Sequence, residues 1–333
     1  MISPVAWIGF IVLVLLLMLV DLGLLNRRVH TPTAKEALFS TLGWVVLALG
    51  FNAWIYLAYE HQWLGLGTYQ HEPMGGYEAA LKFLTGYLLE ESLSIDNLFV
   101  MALVFARFQV PKPYQHRILF WGIIGVLVFR GILIATGVWL VHYFTWLFYF
   151  FGLLLLYSAL KMLRHKEQSA EVDMERYWIV RVISKFYPVS SNYDEGHFFT
   201  IENGKKAVTP MLIALLVIET TDIVFAFDSV PAVFSITTDP FLVFSSNIFA
   251  ILGLRSLYFV LANMLSRFEY LRYSLIAILV FIGIKMILIP LKLHIPIGLS
   301  LGIIGLILLA GILFSLFQQR KNEQESDSGS YRS

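Results

Sequence analysis

Nine stretches of mainly apolar residues run along this chain, near 5–25, 41–59, 78–106, 117–141, 143–163, 209–234, 241–265, 272–290 and 295–317. Each approaches or exceeds the roughly 20 residues a helix needs to cross the hydrocarbon core of a bilayer. Inside that core every backbone N–H and C=O must find a partner within its own segment, so such stretches resolve into transmembrane helices. The expected fold is therefore all-α, a polytopic transmembrane helix bundle of about nine spans. Composition agrees, with 58% hydrophobic and 14% charged residues, against about 25% charged in soluble domains.

Charge placement orients the spans. The first, Trp7 to Leu25, has no Lys or Arg before it and no small-residue cleavage site after it, which reads as a retained helix rather than a signal peptide. With the N-terminus outside, the inside segments collect Arg27, Arg28, Lys35, Arg107, Lys112 and Arg117. They also collect the seven cations between Arg164 and Lys206, then Arg267, Arg272, Arg320, Lys321 and Arg332. Outside loops hold Lys292 alone. The positive-inside rule then gives a cytoplasmic C-terminus, and the expected location is the cytoplasmic (inner) membrane.

The expected organisation is residues 1–163 with spans 1–5, a cytoplasmic loop 164–208, residues 209–317 with spans 6–9, and a polar, disordered tail 318–333. Within the loop, Val172 to Phe186 mixes aromatic and charged residues and reads as an interfacial amphipathic helix. Phe198 to Ile201 and Ala207 to Thr209 flank Asn203-Gly204, which reads as a β-hairpin; an ordinary connecting loop fits the same residues.

An internal repeat narrows the architecture. Ser94-Ile95-Asp96 with Phe99 matches Thr220-Thr221-Asp222 with Phe225. Arg130 follows Asp96 by thirty-four residues and Arg255 follows Asp222 by thirty-three. Lys161-Met162 then follows Arg130 by thirty-one residues, and Lys285-Met286 follows Arg255 by thirty. Each copy thus places an acid, an Arg and a Lys-Met on three successive spans. Three is odd, so spans 3–5 and 6–8 cross the membrane in opposite senses, as in transporters built from inverted repeats.

Acids inside the spans carry the functional reading. Span 3 holds Glu90, Glu91, Asp96 and Asn97, span 6 holds Glu219, Asp222 and Asp228, and span 1 holds Asp21. A carboxylate at the bilayer centre costs about 2.5–3.5 kcal/mol on insertion scales, so each needs a counter-charge, water or an ion. Glu90 and Asn97 share a helix face, as do Glu219 and Asp222. Pro231 is expected to break span 6, free the carbonyl of Phe227 and turn Asp228 inward. Arg130, Arg255 and Lys285 are the expected charge-balancing partners. Seven acids exceed the five in-span cations, two of which, Lys82 and Lys161, can reach the interface. The surplus is negative, which favours a cation site. Oxygen donors without Cys or clustered His suit Mg²⁺, Ca²⁺ or Mn²⁺. Asp21 and Glu91 are the weakest members and read equally as structural acids.

The segments Gly86–Asn97 (GYLLEESLSIDN) and Glu219–Ala232 (ETTDIVFAFDSVPA) closely resemble the TerC family, and within it the Alx-type members. Phe249–Arg255 and Phe281–Met286 extend the resemblance over nearly the whole chain. It implies manganese export, tellurium resistance or metal supply to exported enzymes. It also implies that Glu90, Asp96, Asn97, Glu219, Asp222 and Asp228 form the family's acidic motif. Glu91 stands where many relatives carry Lys, adding negative charge beside the site.

The function expected is secondary transport of a divalent cation, with Mn²⁺ as the transported ion on the strength of the resemblance and Ca²⁺ as the alternative. A membrane metal-delivery partner of secretion or membrane complexes, docking through loop 164–208, is the second reading. No organic cofactor and no nucleic acid is expected: net charge is +1 and no G-x-x-x-x-G-K-[ST] occurs. An enzyme is not expected either, since no H-E-x-x-H occurs.

Overall fold

The computed structural model describes residues 2–21, 33–68, 73–144, 146–164, 182–185, 187–190, 193–194, 197–202, 204–262, 271–293 and 295–330. Among the described residues are nine long helices: α1 (Pro4–Val20), α2 (Ala34–Glu60), α3 (Gly76–Arg107), α4 (Lys112–Tyr143), α5 (Leu147–Arg164), α6 (Pro210–Phe234), α7 (Pro240–Ala262), α8 (Leu271–Leu288) and α9 (Ile297–Ser330). Six of them, α2, α4, α5, α6, α7 and α9, are long and apolar enough to cross a membrane; α1 and α8 contain shorter apolar helices. The chain is a polytopic all-α membrane protein.

Local chemistry sets the helix starts. Ser3 accepts a hydrogen bond from the amide of Val5 at 3.3 Å, and Pro4 follows in the first turn of α1, where its missing N–H costs nothing. Thr33 and Glu36 satisfy each other's amides at the head of α2, a reciprocal capping box. Asp239 accepts from the amides of Phe241 and Leu242 at 2.9 and 3.2 Å and so caps α7. The same carboxylate accepts from the hydroxyl of Tyr59 on α2 at 3.1 Å, which ties that cap to its neighbour.

Two expectations meet a different structure. α6 runs unbroken to Phe234 with Pro231 inside it. The proline sits in the last turn, where one lost hydrogen bond leaves little helix to misdirect. α9 continues in helix to Ser330, through the polar stretch expected to be disordered. Gln318 to Glu325 are mostly good helix formers, and no Gly or Pro intervenes before Gly329. The amphipathic helix expected at 172–186 lies outside the described residues apart from 182–185. The hairpin is present: β1 (Phe199–Glu202) pairs antiparallel with β2 (Lys205–Val208), Glu202 opposite Lys205. Gly204 at φ +74° closes the two-residue turn, a conformation that glycine adopts without strain.

Packing centres on α3, α6 and α7. α3 lies along α7, α4 lies along α6, and α3 crosses α6. α4 meets α7 and α5 packs closely along α8. α2 covers α3 and α7, α9 covers α8 and α3, and α1 packs on α7 through Trp7 and Phe10. The α5–α8 contact is close because glycines face each other. A Cβ on Gly152 would lie 2.8 Å from the carbonyl oxygen of Gly283, so any larger residue would push the helices apart. One apolar cluster joins α1, α2, α3 and α7 through Phe10, Phe51, Phe83 and Phe249; a second joins α4, α5, α6 and α8. Ile8, Leu15, Leu19, Leu153, Leu306 and Leu313 remain exposed on outer helix faces, where acyl chains rather than water would meet them.

Candidate functional site

The centre of the bundle is a polar network built on Arg130. This side chain of α4 is 1% exposed, and a guanidinium in such a place requires carboxylates. Its Nη1 donates to Glu90 of α3, and its Nε donates to Asp222 of α6 at 3.4 Å. Nη1 also donates to the amide oxygen of Asn247 on α7 at 2.9 Å. The amide nitrogen of Asn247 donates in turn to the second oxygen of Glu90 at 2.9 Å. Ser94, one helical turn along α3, donates to Glu90 at 3.3 Å. Asn97 donates to the remaining oxygen of Asp222 at 3.1 Å. Four helices therefore meet in one hydrogen-bonded set, with two carboxylates around one arginine.

Glu219 lies one turn before Asp222 on α6 and makes no hydrogen bond to this set. It is buried, and neither of its oxygens has a hydrogen-bond partner. Its carboxylate rests against the helix surface of α4 at Gly125, and a Cβ at Gly122 would lie 3.6 Å from Oε1. Glycine at both positions leaves room for it. A cavity of about 20 Å³ opens beside Asp222, lined also by Gly122 and Arg255 among apolar residues. That is space for about one small, mostly dehydrated particle.

The other sequence-predicted residues distribute unevenly. Asp96 lies on α3, next to Asn97; its side chain is outside the described ones. Asp228 accepts from Ser158 of α5 at 3.0 Å and feels the charge of Lys161. With α6 unbroken, it joins that neighbourhood and not the Arg130 network. Arg255 of α7 pairs with Asp21 at the end of α1. Lys285 is buried in α8, and among the described residues no carboxylate pairs with it. In the register that aligns Asp96 with Asp222, the α3 position matching Asp228 is Ala102. Glu91 is directed toward Trp44 and Gly253, and its Oε2 has no partner. Among the described residues no three acidic or histidine side chains gather into a closed metal cage, because Arg130 stands between Glu90 and Asp222.

Asn247, Gly122 and Gly125 were not singled out by the sequence reading. Ser245-Ser246-Asn247, a polar triplet within an apolar span, was the available signal for the first. Nothing in the sequence separates the two glycines from ordinary helix-packing glycines.

Residues 75–323 match the model of the integral membrane protein TerC family. A Myxococcus xanthus protein named uncharacterized membrane protein STKORF319 is 43% identical over 320 residues, 96% of this chain and 94% of its own length. An Escherichia coli K12 protein, Alx, whose name marks it as a proposed membrane-bound redox modulator, is 42% identical over 97% of this chain and 98% of its own. A Rickettsia bellii membrane protein is 37% identical over 95% and 98%. No solved structure matches the chain. The chain belongs to the TerC family of integral membrane proteins.

Proposed function

We propose that this protein is a secondary transporter that exports a divalent cation, Mn²⁺, across the cytoplasmic membrane. The cation would pass between Asp222, Glu219, Asn97, Glu90 and Asp96. The observation that carries the reading is Glu219: a buried carboxylate with two unpartnered oxygens, one turn from Asp222, which lines a cavity of about 20 Å³. An unpaired carboxylate in an apolar interior is costly, and a hard cation satisfies it with oxygen ligands. Arg130 would hold Glu90 and Asp222 while the cation is elsewhere and give them up as it binds.

Helix pairing supports an inverted repeat. Exchanging α3, α4, α5 with α6, α7, α8 turns the α3–α7 contact into α6–α4, which is also present. It turns α3–α6, α4–α7 and α5–α8 into themselves, and all three are present. Asn97 reaching Asp222 brings α3 and α6 together at matched points of the two copies. A site between such halves, near the midplane, suits alternating access. The clustered Lys and Arg favour an outside N-terminus and a cytoplasmic C-terminus.

Manganese rather than calcium follows the family resemblance. The redox role in a relative's name is compatible with metal supply, because this chain has no cysteine for thiol chemistry of its own. Docking to a partner remains a second reading, favoured by Phe199 and Ile201, which the hairpin presents exposed. The test is flux of Mn²⁺, Ca²⁺ and Mg²⁺ into proteoliposomes. Mn²⁺ flux that Asp96→Asn and Asp222→Asn each abolish is expected, and deletion of the hairpin should spare it. Flux equal to that of empty vesicles would overturn transport.

A further inference from the structure

Two cavities meet at Arg255. One is the small space beside Asp222. The other is a groove of about 520 Å³ among α1, α2, α4 and α7, whose polar lining is Asp21, Glu36, Ser40, His116, Arg255 and Ser256. Arg255 is the one described residue that lines both. It is 4% exposed, one of its terminal nitrogens is held by Asp21, and the other, Nη1, has no partner. Beside it the hydroxyls of Ser40 on α2 and Ser256 on α7 meet at 2.7 Å. A cationic side chain thus stands across the passage from an acid-lined groove to Asp222.

Its anchor is a single carboxylate. Asp21 caps the end of α1, a helix outside α3–α8 that packs on α7 through Trp7 and Phe10. A guanidinium repels a cation at short range, so it must leave the passage for one to go through. The groove supplies the means: a divalent cation drawn to Asp21 and Glu36 competes with Arg255 for Asp21.

We propose that this groove is the access route of the transported cation and that the Asp21–Arg255 pair is its gate, released when the cation takes Asp21. The proposal rests on the cation-transport reading above and adds the route and the latch to it.

The chain contains no cysteine, so single cysteines report without background. Val126→Cys reports from the small cavity and Phe39→Cys from the groove. Full-length protein in proteoliposomes is treated with a water-soluble methanethiosulfonate from each side of the membrane. Val126→Cys should react slowly, and about tenfold faster when Asp21→Asn is added, the shift expected when an equilibrium moves by a single favourable ion pair. Phe39→Cys should react equally in both backgrounds. An unchanged rate at Val126→Cys overturns the gate.

If Asp21→Asn fails to accumulate, Ser40→Cys with Ser256→Cys decides. Facing hydroxyls at 2.7 Å place these side chains within reach of a disulfide. Oxidation should stop Mn²⁺ flux and reductant should restore it; flux indifferent to oxidation overturns the gate. The labelling arm does not depend on transport. Faster labelling in a protein that passes no divalent cation would therefore retire the transport reading, and normal flux with unchanged labelling would retire the gate.

Discussion

Arg130 and Arg255 occupy matched places, thirty-four and thirty-three residues after the aspartates of the two copies, yet they live differently. Arg130 is held by Glu90, Asp222 and Asn247, all from helices of the repeat, and is 1% exposed. Arg255 is paired with Asp21, from a helix outside the repeat, and borders a groove of about 520 Å³. The sequence repeat conserves the charge while the folded environment decides its use. A guanidinium held by three partners from three helices is a keystone of the fold. One held by a single carboxylate at a cavity mouth can move.

The comparison breaks most visibly at the keystone. Arg130→Ala leaves Glu90 and Asp222 facing each other in a buried site without compensation. Removing one partner of such a pair costs about 3–5 kcal/mol. Folded protein in the membrane should fall sharply, as read by detergent-solubilised yield and thermal unfolding. Arg255→Ala should cost less, because water in the groove can reach Asp21. Equal loss in both variants would erase the distinction between them.

Asp222→Asn comes next. The change keeps the shape and one carbonyl oxygen, which Arg130 can keep as acceptor, while Asn97 can turn its own amide over to accept from the new NH2, so the protein should insert. The charge is what the cation loses: at 4 Å and an effective dielectric of 20, each unit of its charge forfeits about 4 kcal/mol. Mn²⁺ flux should drop by more than about tenfold, the change that 1.4 kcal/mol produces. Measuring flux beside membrane yield separates this from a folding defect; near-normal flux would remove Asp222 from the site.

Much of this was legible in the chain. Span length and the absence of charge mark a helix by themselves, which is why nine apolar runs became nine helices. The acids of α3 and α6 were legible because a carboxylate in hydrocarbon is always an event. Their partners were harder. Spacing relates Arg130 to Asp96 within one copy, but Arg130 reaches across to Asp222 of the other, a fact of tertiary packing that no local pattern encodes. Asn247 was missed because an amide in a span costs less than a charge and attracts less notice. The expected break at Pro231 failed because a proline in a last turn has little helix left to disturb.

A smaller effect tests the cavity. Gly125→Ala places a methyl group where the carboxylate of Glu219 now rests. A flexible side chain can move aside, so stability should change by about 1–2 kcal/mol at most. Flux should fall several-fold if Glu219 is a ligand, because its oxygens are driven from Asp222's side of α4. A variant with full flux would indicate that Glu219 is a buried acid and no part of the passage.

The smallest effect is expected at Asp228, and it tests how far the site extends along α6. The residue follows Asp222 by six positions on α6, yet it accepts from Ser158 and sits by Lys161 on α5. An unbroken α6 gives it no way to turn toward the Arg130 network. Asp228→Asn keeps an oxygen for Ser158 and removes the charge that Lys161 feels. Lys161 stands in the last turn of α5, where its ammonium can find the interface without that partner. The change should therefore shift Mn²⁺ flux by about twofold or less, the consequence of about 0.5 kcal/mol. It should leave the apparent affinity for Mn²⁺ untouched, whereas Asp222→Asn should weaken it. A loss of affinity in Asp228→Asn as large as in Asp222→Asn would mean that the cation visits both acids. In that case α6 must open at Pro231 during transport, although it is continuous here.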